Sequence, residues 1–150
     1  MDFRYGIHTI ELFHRVSKKD FNKVFQHLKS VNSGSFYPDT TYHSEKGLTK
    51  YICTSYCNQG VVLYLYQQVR SKNKTKKNHA PFIHFRLNPH TLLYGEYSPK
   101  KVFHAEDKQL KSLDKEMTKL LHKIGLNCDF EQLTLSRIDC CLDYFPNSQD

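Results

Sequence analysis

Val61-Val-Leu-Tyr-Leu-Tyr-Gln-Gln-Val69, Arg70-Ser-Lys-Asn-Lys-Thr-Lys-Lys-Asn-His79 and Pro81-Phe-Ile-His-Phe-Arg-Leu87 form the stretch on which the fold turns. The first run is rich in β-branched and aromatic residues, which suit a pleated, half-buried surface. The last run has the same character, with Ile83, Phe85 and Leu87 alternating with His84, Arg86 and Asn88. Between them, Arg70, Lys72, Lys74, Lys76 and Lys77 stand within ten polar residues, which cannot enter a core. The reading is a long hairpin with a basic tip, and so an antiparallel sheet at the centre of the molecule.

Working toward the N-terminus, Thr49–Tyr56 and Phe36–Tyr42 read as two more strands, divided by the polar turn His43–Gly47. Cys57-Asn-Gln-Gly60 is a tight connection. Gly6–Val16 reads as a strand with apolar groups on both faces: His8, Ile10, Leu12 and His14 on one, Ile7, Thr9, Glu11 and Phe13 on the other. That distribution predicts an internal strand. Ser17 followed by Asp20 resembles a capping box, and Phe21, Val24, Phe25 and Leu28 recur at helical spacing until Gly34.

Toward the C-terminus, Asn88-Pro89 breaks the hairpin strand, and His90–Phe103 reads as irregular. Glu106–Ile124 is the clearest helix, with Leu110, Leu113, Met117, Leu120, Leu121 and Ile124 on one stripe and Gly125 behind it. A last strand, Leu133–Tyr144, is stopped by Pro146. The order β-α-β-β-β-β-α-β predicts an α+β fold: a mostly antiparallel sheet with two helices packed on one face and the other face free to bind. No repeat or linker divides residues 1–150, so one domain is expected.

The bulk numbers narrow the function class. The chain has 150 residues, ten Tyr, ten Phe and a formal net charge of +7, with nine His able to add more in mild acid. A basic surface favours a polyanion. No stretch approaches the apolar length of a membrane span, and Asp2, Arg4 and Glu11 interrupt any leader-like run at the N-terminus. Five Cys, an odd count, predict reduced thiols and a cytoplasmic setting. Cys53 and Cys57, or the adjacent Cys140 and Cys141, match no zinc spacing. Phosphate-binding glycine loops and the Gly-x-Ser-x-Gly elbow are absent from the sequence.

The last strand carries the densest chemistry. Alternation puts Leu135, Arg137, Asp139, Cys141 and Asp143 on one face. Asp is disfavoured in strands, so two on one face need a reason. Either the carboxylates of Asp139 and Asp143 help to hold a hard divalent cation, or Arg137 forms a cross-strand ion pair with one of them. If the strand of His84 and Arg86 lies beside this one, His84 and Asp139 could converge on Mg²⁺ or Mn²⁺; otherwise Arg86 grips a phosphate or an acid. The Arg70–His79 tip either follows a phosphate backbone or is a solvated loop. Tyr37, Tyr42, Tyr51, Tyr56, Tyr64 and Tyr66 divide between core packing and base stacking.

Leu135-Ser-Arg-Ile-Asp-Cys-Cys-Leu-Asp143 resembles the Arg-(Ile/Val)-Asp-(Leu)-x-x-Asp strand of rolling-circle replication initiators of phages and plasmids. Asn88-Pro-His-Thr-Leu-Leu93 resembles the Asn-Pro-x-x-Leu-Leu segment of the phage type. The resemblance implies a sheet with helices on one side, DNA on the other, a divalent metal and a nucleophilic Tyr. It makes Asp139 the metal-binding acid, with Asp143 second, and His84 half of a His-hydrophobic-His motif whose second His is Arg86. In the plasmid type the nucleophile lies on a helix after the acidic strand, whereas Tyr144 is the last tyrosine here. The expectation is a DNA-binding domain without complete nicking activity, contacting DNA through Arg70, Lys72, Lys74, Lys76, Lys77, Arg86 and Arg137. The alternative is an inhibitor encoded by a phage or mobile element, an anti-CRISPR-like protein docking on a host nuclease or ribonucleoprotein.

Overall fold

The computed structural model describes residues 2–32, 34–68, 80–95 and 102–145, with side chains from residue 5 to residue 142 within those ranges. Six strands form one antiparallel sheet: β1 (Asp2–Arg15), β2 (Phe36–Pro38), β3 (Leu48–Cys53), β4 (Val61–Gln68), β5 (Phe82–Leu87) and β6 (Thr134–Phe145). Their spatial order is β2-β3-β4-β5-β1-β6. The fold is α+β, with two main helices, α1 (Lys18–Val31) and α3 (Asp107–Lys123), packed against the sheet. A short α2 (Pro89–Tyr94) lies between β5 and α3.

Hydrophobic alternation assigns the faces. Leu63, Leu65, Ile83, Phe85 and Leu87 are almost wholly buried, as are Phe21, Val24 and Leu28 of α1 and Leu113, Met117 and Leu121 of α3. They form one cluster between sheet and helices, joined by Ile10 and Leu12 of β1. Burying such side chains contributes about 1.5–3 kcal/mol each relative to exposure. The alternate residues of the same strands, Tyr64, Tyr66, His84 and Arg86, then point to the face without helices.

Local signals fix the elements. Ser17 Oγ accepts the Asp20 backbone N–H at 3.1 Å, satisfying an otherwise orphaned donor of α1. β1 is internal, as its two apolar faces predict, and its neighbours are β5 and β6. β4 and β5 pair along their length, from Val61 opposite Leu87 to Tyr66 opposite Phe82, so the expected hairpin is present. Its tip, with Arg70, Lys72, Lys74, Lys76 and Lys77, lies outside the described residues.

Four expectations need correction. The stretch after Asn88 is not wholly irregular: Asn88 Oδ1 accepts the Thr91 N–H at 3.1 Å and Pro89 opens α2, where its missing N–H costs nothing. Gly60 makes room for that turn: its φ is +83°, and a Cβ there would stand 2.8 Å from the Asn88 carbonyl oxygen. The strand beginning at Phe36 ends at Pro38 rather than Tyr42, because Asp39 turns the chain by accepting both the N–H and the hydroxyl of Thr41. The strand at Leu48 ends at Cys53 rather than Tyr56.

The fourth concerns the last strand. Glu11 pairs with Arg137, but Leu12 pairs with Leu135, so Ser136 is the extra residue of a bulge. Its hydroxyl donates to the Glu11 carbonyl at 3.0 Å. The bulge turns Leu135 to the helix side with its partner Leu12 and leaves Arg137 opposite Glu11 on the open side. Leu135 and Arg137 therefore do not share a face.

Candidate nucleic-acid interface on the open sheet face

Antiparallel register sets the open face out in rows. One row runs Lys50, Tyr66, Phe82, Arg15, and the next Ile52, Tyr64, His84, Phe13. A third runs Val62, Arg86, Glu11, Arg137. Successive rows stand about 7 Å apart along the strands, two residues of rise.

The first two rows make an aromatic surface. Tyr66 and Phe82 stack with centroids 4.4 Å apart and planes within 12°. Tyr64 stacks on His84 at 5.5 Å, and Tyr42 meets Tyr66 edge-on at 5.6 Å. The Lys50 ammonium stands 4.6 Å from the Tyr64 ring centre and 5.4 Å from that of Tyr42, within cation–π range. Asp39 holds the same ammonium at 3.6 Å. Burial, with neighbouring Tyr42 and Tyr64, pushes the Tyr66 hydroxyl up to about 12, so it remains a neutral donor.

The third row is electrostatic. Glu11, in the middle strand, faces Arg86 at 3.8 Å and His84 at 3.7 Å. Desolvation pushes the His84 imidazole below its ordinary value; Glu11 opposes this, and Lys50 and Arg86 add to it. The shift favours the neutral imidazole over the cation. Arg137 donates from Nε to Asp139 Oδ1 at 2.8 Å. Arg86 and Arg137 are more than half exposed, so these pairs are weak, and a phosphate could exchange for either carboxylate.

Grooves flank the two aromatic rows, one on either side along the strand direction. One, of about 480 Å³, is lined by Arg15, Tyr42, His43, Lys46 and Phe82. The other, of about 350 Å³, is lined by His8, Thr9, Tyr64, Arg86 and Asn88. Thr9 is buried, with its hydroxyl 2.7 Å from His8 Nδ1.

The structure thus brings Arg86 and Arg137 onto one row, on either side of Glu11. It does not bring His84 and Asp139 together, because β1 separates β5 from β6; the adjacency needed for a joint metal site is corrected accordingly. Asp139 lies opposite Thr9 and is engaged by Arg137 two residues away on the same strand, so the ion pair runs within β6 rather than across strands as expected. Among the described residues, no three His, Cys, Asp or Glu side chains are grouped to hold Mg²⁺ or Mn²⁺. Asp143 pairs with Arg4 along the strand, but its side chain lies outside the described residues.

Of the tyrosines, Tyr56 is buried, Tyr51 packs edge-on to Phe25 at 4.8 Å on the helix side, and Tyr42, Tyr64 and Tyr66 are on the open face. Sequence reasoning missed Glu11, Lys50 and Phe82 as site residues. Glu11 had a signal: it is the one acid in the internal strand Gly6–Val16, and a half-buried acid needs a partner. Among the described residues, no helix is long and apolar enough to cross a membrane. Neither protein-family models nor curated proteins yield a match to this chain.

Proposed function

We propose that this chain binds single-stranded nucleic acid, DNA foremost, along the open face of its sheet. The observation that carries the reading is the row Lys50–Tyr66–Phe82–Arg15, where a stacked aromatic pair is bracketed by cations on the face the helices leave free. Bases stack on aromatic rings whatever their sequence, and cations follow the backbone. Arg86 adds a third cation two rows away, and the grooves on either side of the aromatic rows give the strand an entry and an exit. A single strand is favoured over a duplex because stacking needs unpaired bases. The lysines of the Arg70–His79 segment follow β4 directly in the chain and extend the basic character of this end in sequence. The reading agrees with what the initiator-like segments imply, a sheet with helices on one side and DNA on the other.

Fluorescence anisotropy with a labelled oligothymidine and with a duplex of equal length, across a salt series, tests the proposal. The expected result is preferential single-strand binding whose log affinity falls linearly with log salt, about 0.7 per phosphate contact. Affinity indifferent to salt, or stronger for the duplex, would contradict it.

A further inference from the structure

The two edges of the sheet are guarded differently. β2 is three residues long and ends in Pro38, which removes a backbone donor. β6 is twelve residues long and holds neither Pro nor Lys. Among the described residues no strand pairs with its outer side. Its helix-side residues are uncovered as well: Leu135 is 52%, Ile138 45% and Leu142 52% exposed, although the β1 partners of the first two, Leu12 and Ile10, are buried. Beside them Tyr5 is 73% exposed and Cys140 is exposed. A long edge strand with an apolar stripe is a template for another strand.

We propose that this edge pairs with β6 of a second copy, antiparallel about a two-fold axis through Cys140, giving a continuous twelve-stranded sheet. Charge complementarity selects both the occupant and the register. With the axis at Cys140, Ile138 meets the partner's Leu142, and Arg137 stands opposite the partner's position 143, an aspartate. Both contacts occur twice, as a two-fold interface requires. Moving the axis to residue 139 would set Asp139 against itself; moving it to 141 would set Asp139 against Asp143. Like charges directly opposite destabilise a strand pair. An axis at 138 would run the pairing across the Ser136 bulge. The Cys140 register lies beyond the Ser136 bulge of β6, opposite a second bulge that His8 makes in β1, and places apolar residues opposite apolar ones. Since the axis stands perpendicular to the sheet, the two open faces lie on the same side.

Light scattering after size exclusion, from micromolar to several hundred micromolar protein, tests the assembly. The expected mass rises from 17.7 kDa toward twice that value. Leu142→Lys is expected to leave thermal unfolding unchanged, because the side chain is half exposed, and to abolish the dimer. Arg137→Asp is expected to weaken the dimer about tenfold, and Arg137→Asp with Asp143→Arg to restore it. Diamide, which oxidises two thiols to one disulfide and is itself reduced to the hydrazine, is expected to link the copies through Cys140. Cys140→Ser should remove that band and Cys57→Ser should not. A monomeric mass throughout, dimerisation indifferent to Leu142→Lys, or a covalent dimer persisting in Cys140→Ser would overturn the proposal.

Discussion

The two faces of the sheet are cut from the same strands and differ in almost every physical respect. On the helix side, Leu63, Leu65, Ile83 and Phe85 have no polar atoms beyond the backbone and leave almost no surface to water. On the open side, the very next residues are Tyr64, Tyr66, His84 and Arg86, each with an apolar body and a polar or charged end. The helix side is filled by α1 and α3, and its side chains are specified by volume. The open side is filled by its own rings and ion pairs, and its side chains are specified by chemistry. A sheet needs only one buried face to fold. The proposed nucleic-acid contact rests on the aromatic rings and cations of the other.

Substitutions that fall on one face or the other should separate stability from binding. The largest effect is expected from Phe85→Ala, which empties a fully buried site and should cost about 3–5 kcal/mol in denaturant unfolding. Next is the paired change Tyr66→Ala with Phe82→Ala. Each base that loses its stacking partner should weaken oligothymidine binding by about 1–3 kcal/mol in anisotropy titrations. An unaltered affinity would place the bases elsewhere. Arg86→Ala should act more mildly, lowering the salt slope of binding by about 0.7, one single-strand phosphate contact.

The smallest effect concerns pH. The folded His84 imidazole titrates below its ordinary value, chiefly because burial desolvates its charged form. Between its folded and unfolded pKa the unfolded chain binds more protons, so stability falls as pH drops below 6.5. His84→Gln should flatten that part of the stability–pH curve. A slope identical in the variant would show that another group controls the acid side.

Much of the helix side was legible because periodicity reports burial. Phe21, Val24 and Leu28 at helical spacing, and Ile83, Phe85 and Leu87 at strand spacing, announce the surfaces they bury. Ser17 announced the start of α1 by its capping chemistry. What failed was what depends on a single residue's local choice. Ser136 inserted a bulge that moved Leu135 to the opposite face from Arg137, and strict alternation has no means of anticipating an extra residue. Asp39 ended β2 early by a side-chain turn. The open face was legible in part: alternation found Arg86 and Arg137, and register then placed them in one row. The order of the strands was not in the pattern, so nothing in the sequence indicated that β1, with Glu11, would stand between His84 and Asp139. Nor did it pair Phe82 with Tyr66, which follows from the hairpin register alone.

Chemical-shift mapping of the labelled protein with an oligothymidine is the most direct test that the helix-free face holds the strand. The largest changes are expected at Lys50, Tyr64, Tyr66, Phe82, His84 and Arg86, with the amides of α1 and α3 nearly unmoved. Changes concentrated on the helices, with Tyr66 and Phe82 silent, would contradict it.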